Sequence, residues 1–227
     1  MARCVNHKIE ITADGSHTLF VPHLNEHYHS TNGAVQESQH IFIEAGLHHC
    51  GKENINVLEI GFGTGLNAFL TLLDGEQSGK VVNYITLEAF PLPESIIEQL
   101  NYPHYISQAK AYLYYRLHEV DWDKEVEITP AFKFTKIEAD FIRYSFGDIS
   151  DIDVVYFDAF APEKQPEMWS QELFDKLYAF MNLEGILVTY CAKGIVRRML
   201  QQSGFGVERL PGPPGKREML RATKLSD

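Results

Sequence analysis

Apolar and polar positions alternate through residues 8–22 on either side of Asp14-Gly15-Ser16, the pattern of a β-hairpin with a turn of small polar residues. Over residues 37–47 the apolar positions Ile41, Phe42, Ala45 and Leu47 fall near one helical face, and Gly51 follows. Residues 57–60 then form a short apolar run that opens into Gly61-Phe62-Gly63-Thr64-Gly65, and helical character resumes over residues 66–73. Residues 81–87 are β-rich and end on Glu88; Pro91 and Pro93 mark a turn before a helix that begins near Glu94. A helix is expected over residues 108–118, with extended runs at 126–128 and 131–137. A buried-type strand at 153–157 runs into Asp158, and a helix at 171–181 leads to an apolar strand at 185–191. A basic amphipathic helix at 194–202 precedes two closing strands, 205–210 and 218–223, around Pro211-Gly212-Pro213-Pro214-Gly215. Strands alternating with helices predict an α/β fold with a parallel sheet covered on both faces, and the closing pair predicts one antiparallel strand at its edge.

The 227 residues suit one α/β domain with a small appendage before the first core strand, residues 1–52, followed by the main domain, residues 53–227. Hydrophobic residues at 44% and charged residues at 22% describe a folded globule, and no apolar run approaches a membrane span. The first ten residues lack the apolar core of a secretory signal, and Cys4, Cys50 and Cys191 are scattered and odd in number. Reduced thiols and a cytoplasmic location are therefore expected. Net charge is -11, yet residues 193–224 carry eight basic side chains against Glu208 and Glu218. That local excess predicts either a phosphate-binding face or simply a solvated basic surface.

The glycine-rich turn stands between a strand and a helix, where missing Cβ atoms let backbone turn tightly and approach a ligand. A G-x-G-x-G triplet alone is weak evidence. Here Glu59 precedes it, Glu88 ends the next strand about 27 residues after Gly61, and Asp140 follows a third β-like run. Glu88 is placed to accept both ribose hydroxyl protons, Asp140 to read an adenine amino group with Phe141 beside the base, and Glu59 to meet a methionine moiety through water. A dinucleotide loop would read G-x-G-x-x-G/A, whereas position 66 is Leu. Carboxylates around the loop also suit a cationic sulfonium better than a pyrophosphate. The expected cofactor is S-adenosylmethionine.

Asp158-Ala159-Phe160-Ala161-Pro162 ends the fourth core strand. A carboxylate there can orient an amine and accept its proton while a methyl group is transferred in line. It can also serve merely as a cap at the end of a strand. Phe160 and Trp169 are candidate walls for a flat acceptor. His23, Glu26, His27 and His29 match no zinc spacing, so no metal is expected; they read as surface or acceptor-pocket side chains.

In combination these motifs resemble the methyltransferase of MnmC-type tRNA-modifying enzymes. The likeness is carried by Tyr28-His29-Ser30, Gly33-Ala34, Glu37-Ser38 to Phe42, Gly61-Phe62-Gly63-Thr64-Gly65-Leu66-Asn67 and Glu88-Ala89-Phe90-Pro91-Leu92. Asp158-Ala159-Phe160-Ala161-Pro162, Pro166-Glu167-Met168-Trp169 and Lys216-Arg217-Glu218-Met219-Leu220 extend it, although Ala159 stands where many relatives have Gly. The resemblance implies a Rossmann-like seven-stranded fold and methylation of the aminomethyl group on a modified wobble uridine, giving 5-methylaminomethyl-(2-thio)uridine. It places Asp158 at the acid/base step and adds Asn67 and Ala89 to the cofactor site. Tyr28, Glu37 and Phe160, together with Lys193, Arg197, Lys216 and Arg217 of the basic segment, become the substrate-binding candidates. The partner implied is tRNA, contacted at its anticodon arm, with the target base flipped into the pocket. No second glycine-rich nucleotide loop is present, so FAD-dependent oxidase activity is not expected, and a separate enzyme system would supply the aminomethyl precursor. Competing readings are a small-molecule amine methyltransferase or aminopropyltransferase on the same fold, and a non-catalytic RNA-binding module.

Overall fold

The computed structural model describes residues 7–145, 147 and 149–225; Cys4 lies outside them. β1 (Lys8–Ile11), β2 (His17–Val21) and β3 (Glu26–His27) form an antiparallel meander of their own. Its first turn is tied by Asp14, whose carboxylate accepts from the Thr12 and Ser16 hydroxyls and from the Ser16 backbone. The helix expected over residues 37–47 starts earlier and changes pitch. α1 (Ala34–Ser38) widens into a π-helical turn, Gln39–Glu44, and a short 3-10 turn, Leu47–His49, follows. Ile41, Phe42 and Ile43 are all buried, and a wider turn presents successive side chains over a narrower arc than a regular helix does.

The central sheet has eight strands. They are β4 (Asn54–Ile60), β5 (Val81–Glu88), β6 (Glu125–Thr129), β7 (Phe132–Glu138), β8 (Ile152–Phe157), β9 (Met181–Thr189), β10 (Phe205–Pro211) and β11 (Glu218–Lys224). The order is β10-β11-β9-β8-β4-β5-β7-β6. β7, β5, β4, β8 and β9 run parallel, and β11 returns antiparallel against β9, as the closing pair predicted. Those strands and β10 are the expected seven. The eighth, β6, is the extended run around residue 127, which pairs antiparallel to β7 and covers that edge.

α2 (Leu66–Ser78) packs between Gly65 and Gly79, both in the left-handed region that glycine enters without a Cβ clash. The region after β5 breaks into short pieces, α3 (Glu94–Ile97) and α4 (Tyr102–Ser107), before α5 (Ala111–Glu119). α6 (Gln171–Phe180) is capped by Ser170, and α7 (Gly194–Gln202) follows β9. Every side chain of β8 is buried, because helices cover both faces of the sheet there. Leu19, Phe42, Phe69, Tyr84, Tyr156 and Val188 belong to one apolar cluster, so the N-terminal segment is packed onto the sheet's own core. Among the described residues no helix is long and apolar enough to cross a membrane.

Chain order reverses around β4: the next strands lie to one side, and β8 and β9 to the other. In such sheets the crevice beyond the carboxyl ends of the strands at the reversal is the place for a ligand.

Candidate active site

A cleft of about 460 Å³ opens there. Parallel pairing sets Ile60 beside Phe157 and beside Leu87, so the residues that follow these strands come out at one level. Gly61 donates to the Leu87 carbonyl (2.9 Å), and Asp158 donates through its backbone to the Ile60 carbonyl (3.3 Å). Gly61, Gly63 and Gly65 all have positive φ. A Cβ on Gly61 would stand 3.2 Å from the Asp158 carbonyl, and one on Gly63 would stand 3.0 Å from the Tyr28 ring.

Glu88 braces this loop. Its carboxylate accepts from the Gly63 backbone (2.9 Å) and the Phe90 backbone (2.7 Å) while facing the cleft, and burial raises its pKa. Ala89, Asp140 and Phe141 complete that wall. Asp140 accepts from the Ile142 backbone (3.0 Å), and buried Phe141 packs edge-on against Phe157 at 6.1 Å. From behind, Tyr114 Oη donates to the Thr64 carbonyl (2.8 Å), and Phe62 packs against His118 at 4.9 Å. A concave, glycine-lined wall with carboxylates at two strand ends fits a cationic, ribose-bearing nucleoside.

The opposite wall is assembled from distant segments. Asp158 accepts from Asn67 Nδ2 (2.9 Å). Burial is the main reason its carboxyl is pushed up to about 7; the Glu37 charge adds to the rise, while Asn67 and Lys216 oppose it. Tyr28 meets Phe160 edge-on at 5.2 Å. Lys216 pairs with the buried carboxylate of Glu37 and sits 4.2 Å over the Tyr190 ring. Glu37 also accepts from the Ser30 backbone at 2.7 Å. His29 is buried, its Nε2 2.9 Å from Thr64 Oγ1, and burial pushes its pKa down to about 4, so the ring is neutral.

Most of the predicted site residues therefore meet in one cleft. Five do not. Glu59 is fully buried beneath the loop and does not line the cleft. Gly65 serves the turn, with His118 filling the space a Cβ would need. Lys193 pairs with Glu163 outside the cleft, Arg217 is exposed on the β10–β11 turn, and Arg197 lies on α7 away from the cleft wall. Trp169 is also corrected: it is buried behind the wall, donating Nε1–H to the Phe160 carbonyl (2.8 Å) and so fixing that loop. Sequence reasoning missed Tyr190, Gln165 and Phe90. Tyr190 follows β9 directly, and a position just past a parallel strand was the available signal.

Comparison with known proteins decides the family. Residues 109–225 match the family model described as S-adenosyl-L-methionine-dependent methyltransferase. The chain belongs to that family. It is 27% identical over 209 residues to the "tRNA 5-methylaminomethyl-2-thiouridine biosynthesis bifunctional protein MnmC" of Methylobacillus flagellatus, covering 87% of this chain and 32% of the relative. The protein of the same name from a Marinomonas strain is 30% identical over 218 residues, covering 87% of this chain and 32% of that one. The chain thus spans about a third of the length of these curated relatives. The crystal structure of MnmC2 from Aquifex aeolicus superposes with a TM-score of 0.82 at 25% identity, covering 99% of this chain and 72% of that one. Spermidine synthase from Thermotoga maritima, at TM-score 0.56 and 14% identity over 100% of this chain and 82% of that one, shares the fold. The cofactor is S-adenosyl-L-methionine.

Proposed function

We propose that the protein methylates the exocyclic aminomethyl group of a modified wobble uridine in tRNA, giving 5-methylaminomethyl-(2-thio)uridine. The observation that carries this reading is Asp158, a carboxyl at about 7 that stands between the glycine loop and an aromatic wall. Support for the tRNA substrate comes from the names of relatives that align along most of this chain.

When bound, S-adenosylmethionine supplies a methyl group activated on a cationic sulfur. Gly61, Phe62, Gly63, Thr64 and Asn67 would cradle it, Glu88 would accept from its ribose hydroxyls beside Ala89, and Asp140 and Phe141 would hold its adenine. Tyr28 and Phe160 hold the flat base by edge and face contacts. Asp158 orients the amine, which attacks through its lone pair. As the new C–N bond forms, the methyl–sulfur bond would break and the sulfur would leave as a neutral thioether; the proton the amine loses goes to Asp158, whose carboxyl is poised near neutrality for that transfer. Glu37 and Lys216 shape the floor on which the base rests. The same reading treats residues 1–52 as an appendage that completes the acceptor wall, and residues 53–227 as the methyltransferase domain. It is confined to the methyl-transfer step.

The basic segment contributes less free charge than its composition promised. Arg209 pairs with Glu218, Arg221 with Glu208, and Lys224 donates to the Tyr178 and Met181 carbonyls. Among the described residues Arg197, Arg198 and Arg217 form no ion pair, which leaves them to meet phosphates of the anticodon arm. Incubation with methyl-labelled S-adenosylmethionine and bulk tRNA from a methylase-deficient strain tests the proposal. Label in the wobble nucleoside supports it. Label only in added free amines, or in nothing, overturns it.

A further inference from the structure

Among the described residues Lys216 is the one lysine or arginine that lines the cleft. Its ammonium pairs with Glu37, whose side chain is 7% exposed, and lies 4.2 Å over the Tyr190 ring. Tyr190 Oη in turn donates to the carbonyl of Ala159 (2.9 Å), the residue after Asp158. Glu37 is itself fixed by the Ser30 backbone N–H at 2.7 Å. Lys216 is thus held from two sides beside Asp158, and its charge bears on that carboxyl. A lysine is an odd neighbour for a site that takes a cationic amine, since like charges repel. Glu37 offsets the repulsion, but an apolar residue would avoid it altogether, so the ammonium calls for a use of its own.

Two properties of the pair narrow that use. Lys216 and Glu37 together carry no net charge, and Asp158 adds a negative one when ionised, so a phosphate or carboxylate is poorly served here. A lysine ammonium has three N–H donors and no acceptor, and Glu37 accepts from one of them. The arrangement suits a neutral acceptor oxygen within reach of the amine. On a uracil ring the exocyclic group at C5 and the carbonyl oxygen O4 sit on adjacent carbons, so an amine held at Asp158 brings O4 alongside. We propose that Lys216 donates a hydrogen bond to O4 of the target base and so makes the site selective for uracil over cytosine. Cytosine carries an amino group at that place, and its N–H would point at an ammonium that cannot accept. Tyr28 and Phe160 cannot make the distinction, because both bases offer them the same kind of flat face. Discrimination therefore falls to a polar contact at the edge of the ring.

This role for Lys216 rests on a wobble nucleotide being the acceptor, and one experiment separates the two. Two tRNAs alike except at the wobble position, one with 5-aminomethyluridine and one with 5-aminomethylcytidine, are methylated with S-adenosylmethionine and kcat/KM is compared. Wild type should prefer the uridine by about ten- to a hundredfold, the worth of one hydrogen bond to a charged group. Lys216→Met should slow the uridine substrate and narrow the preference to within about threefold. A lysine that only clasped Glu37 would, when lost, slow both tRNAs alike and leave their ratio in place. Lys216→Gln keeps an N–H for Glu37 and decides the matter where Lys216→Met fails to fold. Its amide can donate to O4 or, turned over, accept from the cytosine amino group, so the preference should narrow there too. Equal methylation of both tRNAs by wild type, or a preference that survives these changes, overturns the role of Lys216 and leaves the tRNA reading standing. With the preference intact, S-adenosylmethionine affinity lowered about tenfold or more in Lys216→Met would seat the cofactor's own carboxylate on the ammonium. A flatter salt dependence of tRNA binding, again with the preference intact, would seat a phosphate there. Methylation of neither tRNA overturns both.

Discussion

The donor wall of the cleft is built from backbone, whereas the acceptor wall is built from side chains. On the donor side, Gly61 to Gly65 follow one strand, Glu88 and Ala89 the next and Asp140 the one after, and Glu88 is fastened by two backbone N–H groups within reach of its own strand end. On the acceptor side Glu37 and Lys216 meet across 179 positions of chain, and Tyr28 meets Phe160 from a segment equally foreign to its own. A backbone-built wall depends on local geometry and tolerates variation in the side chains around it. A wall of convergent side chains depends on the docking of the N-terminal segment and the β10–β11 turn, so it is where acceptor specificity can be set without disturbing the donor.

The comparison predicts that changes on the two walls separate chemistry from cofactor binding. Asp158→Ala should have the largest effect. Single-turnover methylation at saturating tRNA and cofactor should fall about 10²–10⁴-fold, the usual worth of acid–base assistance, while calorimetric S-adenosylmethionine affinity changes little. A variant within about threefold of wild type would reduce Asp158 to a structural cap. The same group sets a pH limb. Because its carboxyl is pushed up to about 7 and the ionised form is the base, kcat/KM should rise with pH through about 7 and then level. The Asp158→Asn variant should lack that limb.

Glu88→Ala comes next and strikes the other wall. It removes the charged acceptor of two loop N–H groups as well as that proposed for the ribose, and charged hydrogen bonds are worth roughly 1.5–3 kcal/mol. Cofactor affinity should fall about tenfold or more; an unchanged dissociation constant in a folded variant would place the ribose elsewhere. Gly63→Ala should cost about 1 kcal/mol in chemical denaturation, since φ of +50° strains alanine and its Cβ would press the Tyr28 ring. A gain in stability would mean that Tyr28 does not roof the loop. The smallest effect belongs to the outer surface. Replacing Arg198 and Arg217 by Ala should leave cofactor affinity alone and lower the slope of log K for tRNA against log salt by about one unit per lost phosphate contact. An unaltered slope would mean that the tRNA docks on another face.

Several features were legible along the chain because they are local. The glycine loop, the acidic residues at successive strand ends and the closing antiparallel pair each follow from short-range rules, since a parallel strand, its turn and its helix occupy contiguous residues. The same locality says less in two places. Glu59 was expected at the cofactor from its place beside Gly61, and alternation along β4 turns its side chain to a covered face of the sheet, where it is fully buried and accepts from Thr86. Lys193 and Lys216 both counted toward one basic face, yet folding pairs the first with Glu163 and draws the second into the cleft against Glu37.

The alternation of strand and helix, the position of the glycine turn and the order in which carboxylates leave the sheet follow from short stretches of chain, because hydrophobic period and missing Cβ atoms act over a few residues. Which charges are free, and that His29, Glu37, Tyr190 and Lys216 line one cleft, came only with the folded chain. Those outcomes depend on long-range docking and on burial, and the energy of a charge is set by what surrounds it in space rather than by its neighbours in the chain.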